Sequence, residues 1–282
     1  MAHETDIDVN EIIERSSGRS GNVFEYQPGD SFVHRLNPVT KLVISVSLVF
    51  IAFLFPTYPG PAVLTVATFV VVVLAGVTKA VLRIVAVIGT PLAASLLIIH
   101  GLFYPGNETV LYTVGGVPVV EQVHYYREGF EFALLYLFRI LTLMLALLVT
   151  IVTTHPKRLT IALMEKGMPS KFAYVFLAAL QLIPQLQARA VSILDAQRAR
   201  GLDTKATLRR RVRSLFALMI PLLIGTLIAT ETRALALESR GFSRVGERTF
   251  LLDVPDTALD RALRWLAVAA VVVVAVWRVV FG

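Results

Sequence analysis

Apolar residues fall into seven stretches set apart by polar or charged connections: Leu42–Phe55, Ala62–Val77, Ile84–Tyr104, Phe130–Thr153, Phe172–Ile183, Leu215–Ala229 and Trp265–Phe281. A helix needs about 20 apolar residues to cross a bilayer. The third, fourth and last stretches are near that length. The first two reach it by taking in flanking residues, whereas Phe172–Ile183 and Leu215–Ala229 stay short. The pattern predicts an all-α, polytopic membrane helix bundle. Residues 1–30 ahead of it are polar, with seven acids (Glu4, Asp6, Asp8, Glu11, Glu14, Glu25, Asp30) against Arg15 and Arg19, a net of −5. No apolar run follows a basic one there, so the segment reads as a polar tail with a short helix near residues 8–15 and not as a signal peptide.

Basic residues orient the stretches, because Lys and Arg concentrate in cytoplasmic connections. His34, Arg35 and Lys41 precede the first stretch and place the N-terminus inside. The uncharged, proline-rich connection 56–61 reads as an outside turn. Lys79 and Arg83 bring the chain back inside. The loop 105–128, with three acids and one base, reads as outside, and His155, Lys157 and Arg158 return it. Residues 155–264 then hold 18 of the 27 Lys and Arg but only 9 of the 20 acids. Both apolar stretches in this region are basic at each end (Lys171 and Arg189; Arg213 and Arg233) and carry a proline, Pro184 or Pro221. They read as long helices lying against or dipping into the cytoplasmic side of the bundle. A simple membrane hairpin, giving seven spans, is the alternative, since periodicity alone does not assign short apolar runs. Arg261 and Arg264 lead into a last span that ends outside. The organisation expected is a tail (1–30), a four-helix membrane part (31–154), cytoplasmic coupling helices (155–260) and a C-terminal span (261–282).

Composition narrows the chemistry. Charged residues make up 17% of the 282, and mean hydropathy is +0.70; soluble domains carry about 25% charged residues. The balance argues against a soluble protein and rules out disorder for most of the chain. The absence of cysteine removes disulfides, thiolate metal sites and cysteine nucleophiles. A net charge of +7 on so apolar a chain reads as cytoplasmic loops and not as nucleic-acid binding. No G-x-x-x-x-G-K-[ST], H-E-x-x-H or G-x-S-x-G occurs, and the five histidines are scattered, so no catalytic residue, cofactor or metal ligand is assigned. No aspartate lies within the seven stretches, which argues against intramembrane proteolysis by paired aspartates. His100 reads as a polar residue near the headgroups. Arg139, in the middle of Phe130–Thr153, is a functional candidate by depth alone, but it reads more simply as a structural arginine hydrogen-bonding toward other helices.

The strongest signal is a weak repeat forty positions apart. Ala196-Gln197-Arg198-Ala199-Arg200-Gly201-Leu202 resembles Ala236-Leu237-Glu238-Ser239-Arg240-Gly241-Phe242. Gly201 and Gly241 suit the left-handed position that closes a helix, with the following apolar residue folding back on it. Arg200 and Arg240 sit where a cation complements the helix dipole. One such motif is an ordinary helix end. Two, each after a long helix, read as a pair of docking tips whose guanidinium forks bind carboxylate or carbonyl clusters. Two similar tips imply two similar grooves, hence a dimeric partner.

With these residues the chain resembles the transmembrane T component of energy-coupling-factor (ECF) transporters, the family that includes the cobalt-transport Q protein and the biotin-transport N protein. The resemblance rests on His34-Arg35-Leu36-Asn37-Pro38-Val39-Thr40-Lys41-Leu42, where the family more often has Asp at position 37, and on the twin signature Ala199-Arg200-Gly201 and Ser239-Arg240-Gly241. It covers roughly residues 30–282. It implies an all-helical subunit whose two coupling helices insert their motifs into grooves of two ATP-binding-cassette (ABC) ATPases. The same subunit would hold a separate substrate-binding S component for a vitamin or metal ion. ATP-driven motion would pass through the coupling helices to reorient that component.

Two other readings compete. A permease that carries substrate through its own bundle would line its spans with polar residues, and here Arg139 is the main exception to Leu, Val, Ala, Ile and Phe. A membrane-embedded enzyme would need a convergent acid–base pair.

Overall fold

The computed structural model of the protein describes residues 26–106, 108–117, 120–201, 208–244 and 254–281. The helix expected near residues 8–15 lies outside them. In chain order the elements are α1 (Phe32–Arg35), α2 (Pro38–Leu54), α3 (Pro59–Leu74) and α4 (Thr78–Phe103), then strands β1 (Val110–Val117) and β2 (Val120–Tyr126). They continue with α5 (Arg127–Thr153), α6 (Pro156–Glu165), α7 (Ser170–Ala199), α8 (Leu208–Ser239) and α9 (Ala258–Phe281). The described elements fall in two compact units: α1 to α6 with both strands and α9, and α7 with α8.

The expected helical membrane architecture is present, with one addition. The loop read as external holds an antiparallel hairpin, with Val110 opposite Tyr126 and Val117 opposite Val120. The Tyr125 hydroxyl donates to the Leu97 carbonyl oxygen at 2.9 Å and ties the hairpin to α4. Its ring lies where a Cβ on residue 101 would stand, 2.1 Å away, so only glycine fits there. Within α4, Val85–Gly89 form a π turn just before Pro91. A proline there lacks an amide donor and crowds the preceding turn, and widening that turn accommodates it.

In the first unit, α5 is the central helix. Ser45 of α2 donates to the Ala146 carbonyl (2.8 Å) and meets the Thr150 hydroxyl (2.6 Å). Thr65 of α3 meets the Thr142 hydroxyl (2.9 Å) and donates to the Phe138 carbonyl (3.0 Å). Small hydroxyl residues of this kind let apolar helices approach closely and hydrogen-bond across their interface. Val72, Val77, Val81 and Ile84 close the same unit against Leu145, Leu148, Val149 and Val152.

These contacts fix the helix directions. Ser45 against Thr150, and Ala52 against Arg139, make α2 antiparallel to α5. Thr65 against Thr142, followed by Val72 in the cluster with Leu145 and Val149, makes α3 parallel to α5. His100 stacks on Phe132 with ring centroids 5.1 Å apart, while Gly89 lies by Leu141, so α4 is antiparallel to α5. Asn37 bonds Asp260 at one end and Phe55 meets Trp277 at the other, so α9 runs parallel to α2. The directions therefore alternate through α2, α3, α4 and α5, and α9 repeats that of α2.

Among the described residues, five helices are long and apolar enough to cross a membrane: α4, α5, α7, Leu215–Ser239 of α8, and α9. That set differs from the five spans read from flanking charge, because it takes in α7 and α8 and leaves out α2 and α3. The latter have 17 and 16 residues, about 24–26 Å at about 1.5 Å per residue. Their alternating directions still suit two crossings, with the bilayer thinning slightly to match.

Arg139 is the structural arginine that its placement suggested. Its Nε donates to the Ala52 carbonyl (3.3 Å), and its Nη2 donates to those of Phe53 (3.1 Å) and Phe55 (2.8 Å). These are carbonyls that α2 leaves unsatisfied as it ends at Leu54. The guanidinium also lies over the rings of Phe53 and Tyr136. Hydrogen bonds from a charged group contribute about 1.5–3 kcal/mol each. Arg139→Leu is expected to cost about 2–3 kcal/mol, read as a lower melting temperature in detergent, with Arg139→Lys between it and the parent. An Arg139→Leu variant that melts with the parent would instead show that the end of α2 does not depend on the arginine.

The second unit is a helix pair. Tyr174 stacks against Phe242 (5.2 Å), Gln185 accepts from Arg233 (3.1 Å), and Arg189 lies beside Gly225. Partners fall on α8 as they rise on α7, so the helices run antiparallel. Both continue through their prolines, Pro184 and Pro221. Large apolar side chains such as Phe172, Phe176, Ile183, Phe216, Leu227 and Leu235 remain exposed.

Candidate coupling site

Helix α7 ends at Ala199, with Arg200 as its C-cap and Gly201 next at φ +87°. The Gly201 amide donates to the Arg198 carbonyl at 2.9 Å. Helix α8 ends at Ser239 in the same way. The Gly241 amide donates to the Glu238 carbonyl (2.9 Å) and the Phe242 amide to that of Leu237 (3.0 Å), with Gly241 at φ +72°. This pair of bonds is the Schellman arrangement, which satisfies carbonyls the helix cannot. Nothing stands within 4 Å of a Cβ at either glycine. The left-handed backbone, which costs other residues about 1–2 kcal/mol, is what calls for glycine.

The two tips are therefore built alike. Ala199, Arg200 and Gly201 are exposed, as are Ser239, Arg240 and Gly241. Among the described residues neither Arg200 nor Arg240 makes an ion pair or a side-chain hydrogen bond. The expected fold-back residue behaves differently from a simple cap: Phe242 reaches Tyr174 on the neighbouring helix. Leu202, its counterpart, lies outside the described residues. Because α7 and α8 are antiparallel, the tips do not sit side by side. Arg240 stands near the start of α7, and Arg200 lies at its far end, roughly 40 Å away at about 1.5 Å per residue.

The motif that opens the first span forms a knot of its own. Asn37 is the N-cap of α2: its Oδ1 accepts from the Val39 amide (3.0 Å), and Pro38 takes the first helical position. The Asn37 amide donates to Asp260 Oδ1 (2.9 Å), and its Nδ2 donates to the Pro255 carbonyl (3.3 Å). The last bond needs an amide, which Asn37 supplies and an aspartate could not. Lys41 is buried and donates to the carbonyls of His34 (3.3 Å) and Thr153 (3.0 Å). Asp260 is also paired with Thr257, whose hydroxyl and amide donate to its Oδ2 (2.6 and 3.2 Å). Both oxygens of Asp256 accept from Arg264 Nη2 (2.8 and 2.9 Å), with Lys166 as a second cation. These hydrogen bonds, Arg264 first, hold the Asp256 carboxyl down at about 2. A depressed carboxylate contributes its stability above its ordinary range and loses it as pH falls through the folded value. The clamp thus stays closed from pH 5 upward and opens only as pH falls from 4 toward 2.

Sequence reasoning placed Lys41 and Asn37 in one motif but missed Asp256, Asp260 and Arg264. Thr257 and Asp260 do stand at capping-box spacing, a signal that was available.

The chain is similar to a known set of proteins. The cobalt transport protein family, CbiQ, matches over residues 29–250. Among curated relatives, the energy-coupling factor transporter transmembrane protein EcfT of Limosilactobacillus fermentum is 31% identical, with 89% of this chain and 93% of the relative aligned. The protein of that name in Brevibacillus brevis is 30% identical over 90% of this chain and 97% of its own. The one in Thermosediminibacter oceani is 28% identical over 86% and 92%.

Proposed function

The chain belongs to the cobalt transport protein family, CbiQ, and from that premise we propose that it is the energy-coupling transmembrane subunit of an ATP-driven ECF importer, linking two ABC ATPases to a substrate-binding S component. The cargo of such a complex is a vitamin or a transition-metal ion, recognised by the S component. The subunit itself is non-catalytic, and ATP is hydrolysed by its partners. One observation carries this reading: two exposed arginines, without a partner among the described residues, close two helices in the same way at opposite ends of one helix pair. Their separation fits two receptor grooves on two ATPases better than one groove on one. In a groove each guanidinium would find the carboxylate or carbonyl partners it lacks here. The pair would then move as a lever when the ATPases close.

The apolar surface of α7 and α8 supports the rest. Exposed faces of this kind mark contact with membrane or protein, and the S component together with the bilayer would cover them. Arg139 gives no support to a permease, since its donors are engaged by the end of α2.

The subunit sits in the plasma membrane with its N-terminus and residues 155–264 on the cytoplasmic side. The alternating directions of α2 to α5, with α9 parallel to α2, favour a C-terminus outside. With no native cysteine, single cysteines report on this directly. In sealed cells a cysteine near position 108 should react with an impermeant maleimide, and one near 200 or 240 should not. Labelling at 200 from outside would reverse the topology. The function is tested by affinity purification of the tagged subunit with mass spectrometry of what it retains. Two ABC ATPases and one small membrane protein are expected; a subunit that purifies alone from a membrane expressing those genes rejects the reading.

A further inference from the structure

The ends of α1, α2, α3, α5 and α9 enclose an apolar cavity of about 410 Å³, lined by Phe32, Ile44, Leu48, Val71, Val149 and Leu263 among others. That is within the range of about 300–1,000 Å³ usual for ligand sites. Leu36, Lys41 and Thr153 line this cavity and also a second, polar pocket of about 20 Å³, which adds Arg35, Thr154 and Arg158. The two spaces thus share a wall. One is apolar and runs along the helices. The other is basic and lies where α2 begins and α5 ends.

The polar pocket has unmet hydrogen-bonding capacity. Thr154 is 7% exposed, and its Oγ1 finds no hydrogen-bond partner among the described residues. A buried hydroxyl left so costs stability unless something fills the place. Lys41 gives two of its three ammonium protons to carbonyls. Arg158 stands near enough for its charge to act on Lys41, as, less strongly, does Asp260, whose oxygens are already taken by Asn37 and Thr257. Among the described residues, neither Arg35 nor Arg158 has an acidic partner. Three cations and an unpaired hydroxyl around one small space call for an anion. The space is only a little larger than the roughly 10–15 Å³ that a water occupies, so a single oxygen fits inside it. The rest of a phosphate would stay outside, between Arg35 and Arg158.

We propose that this unit binds one anionic phospholipid, with an acyl chain in the apolar cavity and a phosphate oxygen in the polar pocket at Thr154, Lys41 and Arg158. The arrangement matches the general chemistry of headgroup recognition, in which basic pockets between membrane helices take acidic lipids. It needs only the geometry of this unit and is independent of the coupling role.

The test is native mass spectrometry of the full-length protein in detergent, titrated with palmitoyl-oleoyl phosphatidylglycerol, with phosphatidylcholine of the same chains, or with inorganic phosphate. One phosphatidylglycerol per chain should bind at least about tenfold more tightly than phosphatidylcholine, a difference of about 1.4 kcal/mol. Thr154→Val and Arg158→Gln should each weaken phosphatidylglycerol about three- to tenfold, on the scale of one charge-assisted bond, and leave phosphatidylcholine unchanged. Val71→Trp should weaken both lipids by filling the cavity. Val71 is 37% exposed, and an unchanged melting temperature shows that the variant folds; Leu74→Trp, on a more exposed lining residue, repeats the arm. Equal binding of the two lipids overturns the proposal. So does phosphatidylglycerol binding that is indifferent to Thr154→Val and Arg158→Gln, which would leave the hydroxyl to an ordinary water. Full displacement by inorganic phosphate, with no effect of the cavity variants, would assign the pocket to a free anion and also reject the lipid.

Discussion

An Arg200→Ala, Arg240→Ala double variant is expected to insert, fold and melt like the parent, yet to lose its ATPases on purification and to abolish uptake. Each side chain ends a helix, is exposed and has no partner among the described residues, so truncation removes almost no packing from the subunit. In a protein groove the same guanidinium would be desolvated and paired. Breaking such a pair costs about 2–5 kcal/mol, or about 30- to 5,000-fold in affinity. Two tips on one body act through effective concentration, so either single variant should keep the complex assembled but poorly coupled. The separation of the tips by roughly 40 Å along α7 strengthens that expectation, because one docked tip leaves the other free to swing. Lysine at both positions should rescue only in part, since it keeps the charge and loses the planar fork. Co-purification and uptake for the singles, the double and the lysine variants decide the matter. Normal uptake by a well-expressed double variant would reduce the motifs to two helix ends.

Much of this arrangement was legible in the residues. The left-handed glycines at 201 and 241 follow from helix-ending grammar, and φ values of +87° and +72° agree with it. Arg139 was readable as a structural group because no substrate logic connected to it; its actual partners, the last carbonyls of α2, required the fold. Two features escaped for physical reasons. The hairpin 110–126 was hidden because a loop between two long apolar runs was judged by its charge, although Tyr112, Thr113, Val114, Tyr125 and Tyr126 are strand-forming types. The antiparallel pairing that separates the tips is tertiary, and no local motif encodes it.

The link from Asn37 to Asp260 was the least visible, since it joins residues 223 positions apart, and it supports the other large prediction. Asp260→Ala is expected to destabilise the first unit by about 3–5 kcal/mol, the range for removing one member of a buried charged network. Asp260 is 3% exposed. Its Oδ1 takes the Asn37 amide at the mouth of α2, and its Oδ2 takes the hydroxyl and amide of Thr257 at the mouth of α9. One carboxylate thus starts two parallel helices that come from opposite ends of the chain. Without it the Asn37 amide is buried with no acceptor, and the first turn of α9 loses the acid half of its capping box, which also suits the helix dipole. Hydrogen bonds to a charged group are worth about 1.5–3 kcal/mol each but do not add, which keeps the sum within that range. Asp260→Asn retains the shape and one acceptor, so it should lie about midway. Thr257→Ala removes only the capping hydroxyl and should cost about 1 kcal/mol. The order Ala, Asn, Thr257→Ala, parent, read from melting temperatures in detergent, is the signature. The same loss should appear as faster proteolysis near residue 255, where the start of α9 would no longer be held against α2. If Asp260→Ala melts with the parent, the carboxylate is a bystander and the helices are held by their other contacts, among them Phe55 with Trp277 and Arg264 with Thr40.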